Sequence, residues 1–367
     1  MRTLLKISFI YAVIIALMSC SSEDKSGFLT IPVDSDEETS LKLSEITDGS
    51  IEAIELELTD QSLVGERITR VLCGKDYIII CERKSIMQFD KTGKFIRKIA
   101  SVGQGPGEFT SIGDITMDSK NKKIFIKTNA GKMMSYDFDG NFIRESSNEH
   151  YREHTKCLNY INNKLLYLSE TGVKDESETR NLISLYTIDS NLLKTDSVNV
   201  RSFVHNGFWI HPFIDFITYD GKNTYLYYSD ISTNPVVLDT LYRIKDKQLI
   251  PYLNLNFKNR GLSVGGGKDI YLFNIYRSSR YIFAIYNNEL KNPEDTPDKF
   301  SSFCYDTKTG KGYNMQGGYF DDIHTGKKVR IRPFHSDSNK FYYLYTEIDE
   351  NTVEEPNPTL YIGELKR

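Results

Sequence analysis

Phe89-Asp90-Lys91-Thr92-Gly93-Lys94-Phe95-Ile96-Arg97 is the stretch from which the fold can be read. An apolar run ends in Asp-x-x-Gly and a second apolar run follows, the pattern of two antiparallel strands joined by a tight turn. Glycine supplies the positive φ that such a turn needs and that a Cβ resists. The pattern returns at Tyr136-Asp137-Phe138-Asp139-Gly140-Asn141-Phe142-Ile143-Arg144, displaced by 47 residues, with aromatic, Asp, Gly, Phe, Ile and Arg all in register. Weaker copies stand at 187–193, 242–250 and 305–311. In the copy at 187–193, Asn191 stands near the glycine's place, and Asn also tolerates positive φ.

Each copy follows a short β-branched or aromatic run, at 77–81, 124–127, 165–169, 225–229 and 281–286. Such runs bounded by turn signals read as strands. A repeat of about 40–50 residues with about four strands is the signature of a propeller blade, whose faces must be covered by neighbouring blades. The sequence therefore predicts an all-β, six-bladed β-propeller with four-stranded antiparallel blades. The expected blades are 66–102, 110–147, 157–200, 213–257, 269–316 and 330–367, the fourth interrupted by an insertion at 229–239. The alternating stretch 51–58 is predicted to pair with the C-terminal strand at 359–365 and close the ring, leaving no open edge.

The N-terminus reads as a targeting segment. Arg2 and Lys6 precede an apolar run at 7–18, which is short of the roughly 20 residues needed to span a bilayer. Leu17-Met18-Ser19-Cys20 resembles a bacterial lipobox, which implies removal of residues 1–19 and acylation of Cys20. Each buried methylene of an acyl chain is worth about 0.8 kcal/mol at a membrane. The polar, acidic stretch that follows reads as a flexible tether over 20–50, with the propeller domain at 51–367. Its first residues, Ser21-Ser22-Glu23-Asp24-Lys25, resemble a surface-export signal of Bacteroidota lipoproteins. An outer-membrane lipoprotein exposed on the cell surface is the implied location.

The chain carries 46 basic and 50 acidic residues, and without the leader's two cations the net charge is about −6 (44 against 50). With no basic stripe, nucleic acid is not an expected partner. Besides Cys20 there are Cys73, Cys81, Cys157 and Cys304, with no Cys-x-x-Cys pair for zinc or redox work. The apolar surroundings of Cys73 and Cys81 suit buried free thiols. Gly103-Gln104-Gly105-Pro106-Gly107 lacks the Lys-Ser/Thr of a P-loop, and Gly265-Gly266-Gly267-Lys268-Asp269 has Asp where the hydroxyl would be. Both read as backbone turns between blades.

The lipobox, the segment 62–68, the turn at 89–96, Gly103-x-Gly105-Pro106-Gly107-Glu108-Phe109, the segment 239–244 and the closing 360–361 strand together resemble the six-bladed β-propeller lipoproteins of Bacteroidota, distant relatives of NHL-repeat propellers. That resemblance implies a fold and an envelope address, with the membrane as partner through the lipid anchor.

Functional residues are expected where the blades connect, since those connections open on one face near the axis. His150, His154, His205, His211 and His324 fall there by the blade assignment, along with Arg152 and Arg330. The lone Trp209, with Phe208 and His211, is the predicted ligand contact for a glycan, a peptide or an outer-membrane partner, since aromatic rings beside polar groups suit such surfaces. No cofactor is predicted under this binding or scaffold reading. The alternative is a metal-assisted hydrolase or lyase resembling gluconolactonase-type and NHL-type propellers. A divalent ion there would fall to Asp321, Asp322 and His324.

Overall fold

The computed structural model describes residues 28–65, 68–175, 178–204, 216–229, 239–257, 270–287, 300–347 and 356–367. Six four-stranded antiparallel blades form a ring, the architecture predicted from the repeat. Blade 1 comprises Ile68–Cys73, Tyr77–Glu82, Ile86–Asp90 and Phe95–Lys98, from axis to rim. Blade 2 comprises Ile112–Asp118, Lys123–Thr128, Lys132–Asp137 and Phe142–Ser147. Blade 3 has the long strands His154–Ile161, Lys164–Asp175, Glu178–Ile188 and Lys194–Val204. Blade 4 begins with two three-residue strands, Ile217–Tyr219 and Thr224–Leu226, before Thr240–Lys245 and Gln248–Phe257. Blade 5 comprises Tyr271–Arg277, Tyr281–Asn287, Ser301–Asp306 and Lys311–Gln316. Blade 6 comprises Arg332–Phe334, Asp337–Tyr345 and Thr359–Glu364, completed by Glu52–Glu55 from the other end of the chain. Glu52 pairs with Ile362 and Glu55 with Thr359, so the ring closes as expected.

Successive side chains in a strand point to opposite faces, so a blade with apolar residues on both must be covered twice. One apolar cluster fills each of the six blade-to-blade joins. Ile79 and Ile124 meet between blades 1 and 2, Met133 and Tyr167 between 2 and 3, and Leu168 and Ile217 between 3 and 4. Tyr225 and Ile282 lie between 4 and 5, Phe283 and Phe341 between 5 and 6, and Leu360 and Phe89 between 6 and 1.

The repeated turns share one geometry. Asp90 Oδ1 accepts from the N–H groups of Thr92 and Lys94, Asp137 Oδ1 from Asp139 and Asn141, and Asp189 Oδ1 from Asn191 and Leu193, all at 2.8–3.1 Å. The left-handed position is Gly93 (φ 89°) in the first and Gly140 (φ 83°) in the second. In the third it is Leu192 (φ 63°) rather than Asn191. Leu192 tolerates this because its side chain is buried between blades and its carbonyl accepts from Tyr151 Oη at 2.7 Å. At Gly93 only glycine fits, since a Cβ would lie 1.9 Å from the Glu55 carbonyl oxygen.

The expected tether over 20–50 is corrected from residue 29 onward. Leu29–Val33 adds a fifth, parallel strand to the rim of blade 4, with Leu29 opposite Leu253 and Val33 opposite Phe257. Ile31 and Val33 are fully buried. The arm then crosses blade 5, where Asn314 Nδ2 donates to the Asp34 carbonyl at 2.6 Å. Leu41, Leu43 and Ile46 enter the cluster between blades 5 and 6. The acidic composition hid this arm because its few apolar residues sit at the positions that face the propeller.

The four described cysteines are free. Burial pushes the Cys73 and Cys81 thiols up to about 12. The Gly103–Gly107 connection is a structural turn: Ser101–Val102 pairs in parallel with Glu108–Phe109, and Glu108 Oε2 accepts from Gly105 N–H at 2.8 Å. A Cβ at Gly103 would meet that carboxylate at 2.0 Å. Residues 258–269, with the second glycine run, and 230–238 of the expected insertion at 229–239 lie outside the described residues.

Candidate functional site

Chain direction puts the connections between blades on one face of the ring. The turns between first and second strands, and between third and fourth, lie on the other. The sequence nominated the first face. Phe208, Trp209, His211 and His205 lie outside the described residues. His150 sits in a single 3-10 turn, Glu149–Arg152, its ring 5.1 Å from Tyr186 and its nitrogens 3.7 Å from Glu149 and 3.9 Å from Glu153. His154 opens the first strand of blade 3, opposite Glu170. The Arg330 guanidinium stacks 5.3 Å over Phe300.

The Asp321, Asp322 and His324 set is adjacent in sequence but not convergent. Asp321 is fully buried. Its Oδ1 accepts from Ile323 and His324 N–H at 3.1 Å each, and its Oδ2 from Thr325 N–H, Thr325 Oγ1 and Tyr343 Oη at 2.8–3.0 Å. Burial works to raise this carboxyl, but those donors hold it below the usual range. Asp322 turns instead to the N-terminal arm, accepting from Ser44 Oγ at 2.6 Å and Ser44 N–H at 3.2 Å. His324 Nε2 donates to the Ile51 carbonyl at 2.8 Å. The three side chains thus brace a loop and clasp the arm. Among the described residues no three His, Cys, Asp or Glu side chains gather as a metal site would require.

The axis is closed by bonds between first strands. Arg70 pairs with Asp114, whose Oδ2 also accepts from Leu158 N–H at 2.6 Å, linking blades 1, 2 and 3. Thr116 Oγ1 accepts from Tyr160 N–H at 3.0 Å, and Asn159 Nδ2 donates to the Ile217 carbonyl of blade 4 at 2.8 Å. The turn of blade 6 reaches across: Ser338 Oγ donates to the Tyr219 carbonyl at 3.0 Å, Asn339 Nδ2 to the Asp220 carbonyl at 2.8 Å, and Ser279 N–H of blade 5 donates to Asn339 Oδ1 at 2.7 Å. About 40 Å³ of space remains there, bordered by Arg70, Thr116, Asn159, Tyr160 and the buried His335.

Among the described residues a roomier recess lies on the hairpin-turn face, between blades 3 and 4, where the Ile161–Lys164 and Tyr219–Thr224 turns stand side by side. It is a groove of about 650 Å³, with a second space of about 360 Å³ beside it. The two share Asn162, Thr224, Ile244 and Asp246. The floor is apolar, formed by Ile161, Leu166, Leu185 and Val198. The rim carries Lys164, Lys222, Arg243, Lys245 and Lys247 against Asp196 and Asp246. Asp196 and Lys247 pair at 2.7 Å, and that lysine holds the Asp196 carboxyl below its usual range. The other four cations have no ion-pair partner among the described residues.

Residues 28–366 match the family described as Domain of unknown function (DUF4934). The chain belongs to that family. Among curated proteins nothing matches. Among solved structures, a Bacteroides fragilis protein described as exported superposes with a TM-score of 0.61 at 16% identity, covering 93% of this chain and 100% of that one. BamB from Moraxella catarrhalis gives 0.43 at 10% identity over 87% of this chain and 99% of its own. The Neurospora crassa Pan2 WD40 domain gives 0.39 at 10% identity over 82% and 76%. At 16% identity the likeness of the DUF4934 chain to the Bacteroides fragilis protein is one of fold alone.

Proposed function

We propose that this DUF4934 protein is an exported binding or scaffold module of the cell envelope, held to the outer membrane by a lipid on Cys20 and displayed on the cell surface. One observation carries the binding role. Hydrogen bonds and an ion pair between polar groups near the axis tie blades 1 to 6 to one another, which makes the ring a rigid frame, and among the described residues an open recess on it is the groove between blades 3 and 4. A rigid frame with a preformed recess suits recognition, because little order has to be imposed on binding. The lipobox-like Leu17-Met18-Ser19-Cys20 supports the address, as does the description of the Bacteroides fragilis structure as exported. The NHL-like kinship belongs to the same reading. A glycan, a peptide or an outer-membrane protein is the class of ligand.

Glycan and peptide arrays probed with the purified chain test this reading. Saturable retention of a ligand that is recovered chemically unchanged is expected. Turnover of a lactone or ester panel, lost on Asp321→Ala or His324→Ala in a folded protein, would reverse it in favour of a hydrolase.

A further inference from the structure

Because the groove between blades 3 and 4 is open and its cations outnumber its carboxylates, we propose that it binds a phosphate-bearing ligand. This proposal rests on the binding-module reading and names the ligand class. Lys164, Lys222 and Lys245 are exposed at the rim, and their side-chain ammonium groups make no hydrogen bond or ion pair among the described residues, although Lys164 lies near enough to Asp196 to help hold that carboxyl down. Four of the five rim cations are lysines. Lysine presents a compact point charge on a flexible stem that can follow a phosphate's oxygens, and the single arginine adds a fork that matches phosphate geometry. The apolar floor leaves room for the organic part of a phosphate ester beside the charged rim.

The groove is also built by a departure from the repeat. At the two preceding joins the rim strand of one blade sends an arginine to the next blade's turn: Arg97 Nη1 donates to the Asp139 carbonyl and Arg144 Nη1 to Asn191 Oδ1, each at 2.6 Å. Between blades 3 and 4 the polarity is inverted. The rim strand offers Asp196 and the turn offers Lys247, and the remaining lysines of that turn and its neighbour are left facing the gap.

Two sources share this chemistry, a soluble phosphate ester and a lipid headgroup. The second has geometric support. Leu29–Val33 runs parallel to Gln248–Phe257, so its start points back toward the Asp246–Lys247 turn at the groove. Cys20 stands eight residues before Phe28, a reach of at most about 28 Å. An acyl anchor there would keep the groove face within reach of headgroups.

The test uses the mature chain from residue 20 carrying Cys20→Ser, so that no acyl chain holds it to a vesicle. Calorimetric titration with inorganic phosphate and glycerol 3-phosphate is run at two salt concentrations. Flotation is run with vesicles of phosphatidylcholine with and without phosphatidic acid. Lys222→Glu/Lys245→Glu is compared with Lys91→Glu/Lys120→Glu, an equal charge change on exposed lysines of blades 1 and 2. Saturable binding in at least one arm, weakened tenfold or more in the first variant and retained in the second, is expected. Binding only in the titration identifies a soluble ester, and binding only in flotation identifies a headgroup. No saturable binding in either arm, or equal weakening in both variants, overturns the proposal. An array ligand still retained by Lys222→Glu/Lys245→Glu in that event leaves the binding-module reading standing.

Discussion

Arg70 and Asp114 face each other across the first strands of blades 1 and 2, each about 1% exposed, with Arg70 Nε 3.0 Å from Oδ1 and Nη2 paired to Oδ2. The same carboxylate takes the N–H of Ile115 at 2.8 Å and of Leu158 at 2.6 Å, so one charge pair ties three blades. Removing one member of a buried pair leaves an uncompensated charge and costs about 3–5 kcal/mol. Arg70→Met is therefore expected to lower unfolding stability by about that much, read from the urea midpoint at constant slope. A loss below about 1 kcal/mol, the scale of an exposed pair, would mean the axis is wetter than the geometry shows.

The N-terminal arm is the second test. Ile31 and Val33 are fully buried against blade 4, and Leu43 against blades 5 and 6. Ile31→Ala is expected to cost about 2–5 kcal/mol, as buried large-to-small changes do. A chain beginning at residue 50 would expose both clusters and should melt well below the mature chain. Equal melting temperatures would return the arm to the status of a tether.

These two cases mark where the sequence was legible. The turn repeat at Asp90 and Asp137 carried the blade count, because a hairpin needs its Asp acceptor and left-handed residue at fixed offsets. The closing strand was legible through its alternation and its distance from the first repeat. The arm was not, because Leu29–Val33 is a lone parallel strand with Pro32 inside it, and a rim strand needs only one apolar face. The site was the least legible part. Asp321, Asp322 and His324 look like ligands when close in sequence, yet an Asp that caps a turn shows the same spacing. The groove between blades 3 and 4 is lined by strands and turns up to about 85 residues apart, from Ile161 to Lys247. The lysines at 222, 245 and 247 were visible, but only the fold sets them around one recess.

Acylation of Cys20 gives a third expectation. In cells fed a labelled fatty acid, the wild-type chain should take up label and sediment with the outer membrane. Cys20→Ser should lose the label and leave the membrane fraction. Protease added to intact cells should degrade the wild-type chain if it faces outward. Membrane retention of Cys20→Ser at the wild-type level would remove the lipid anchor from the account.

Lys127 supplies the pH test. It is fully buried, with Nζ donating to the Thr128 carbonyl at 2.6 Å and lying 5.6 Å from the Tyr167 ring centre. Burial pushes its ammonium down to about 8 from 10.5, while Glu153 works in the opposite direction. A lowered folded value means that between about 8 and 10.5 the unfolded chain holds more protons than the folded one, so this residue's contribution to stability rises with pH across that window. Below about 8 the charged ammonium stays buried at a cost. Lys127→Met removes that cost and nearly conserves volume, so it is expected to raise the urea midpoint at pH 7, with a gain that shrinks toward pH 10. A variant less stable than wild type at pH 7, with the same deficit at pH 10, would show that the Thr128 and Tyr167 contacts outweigh the desolvation of the charge.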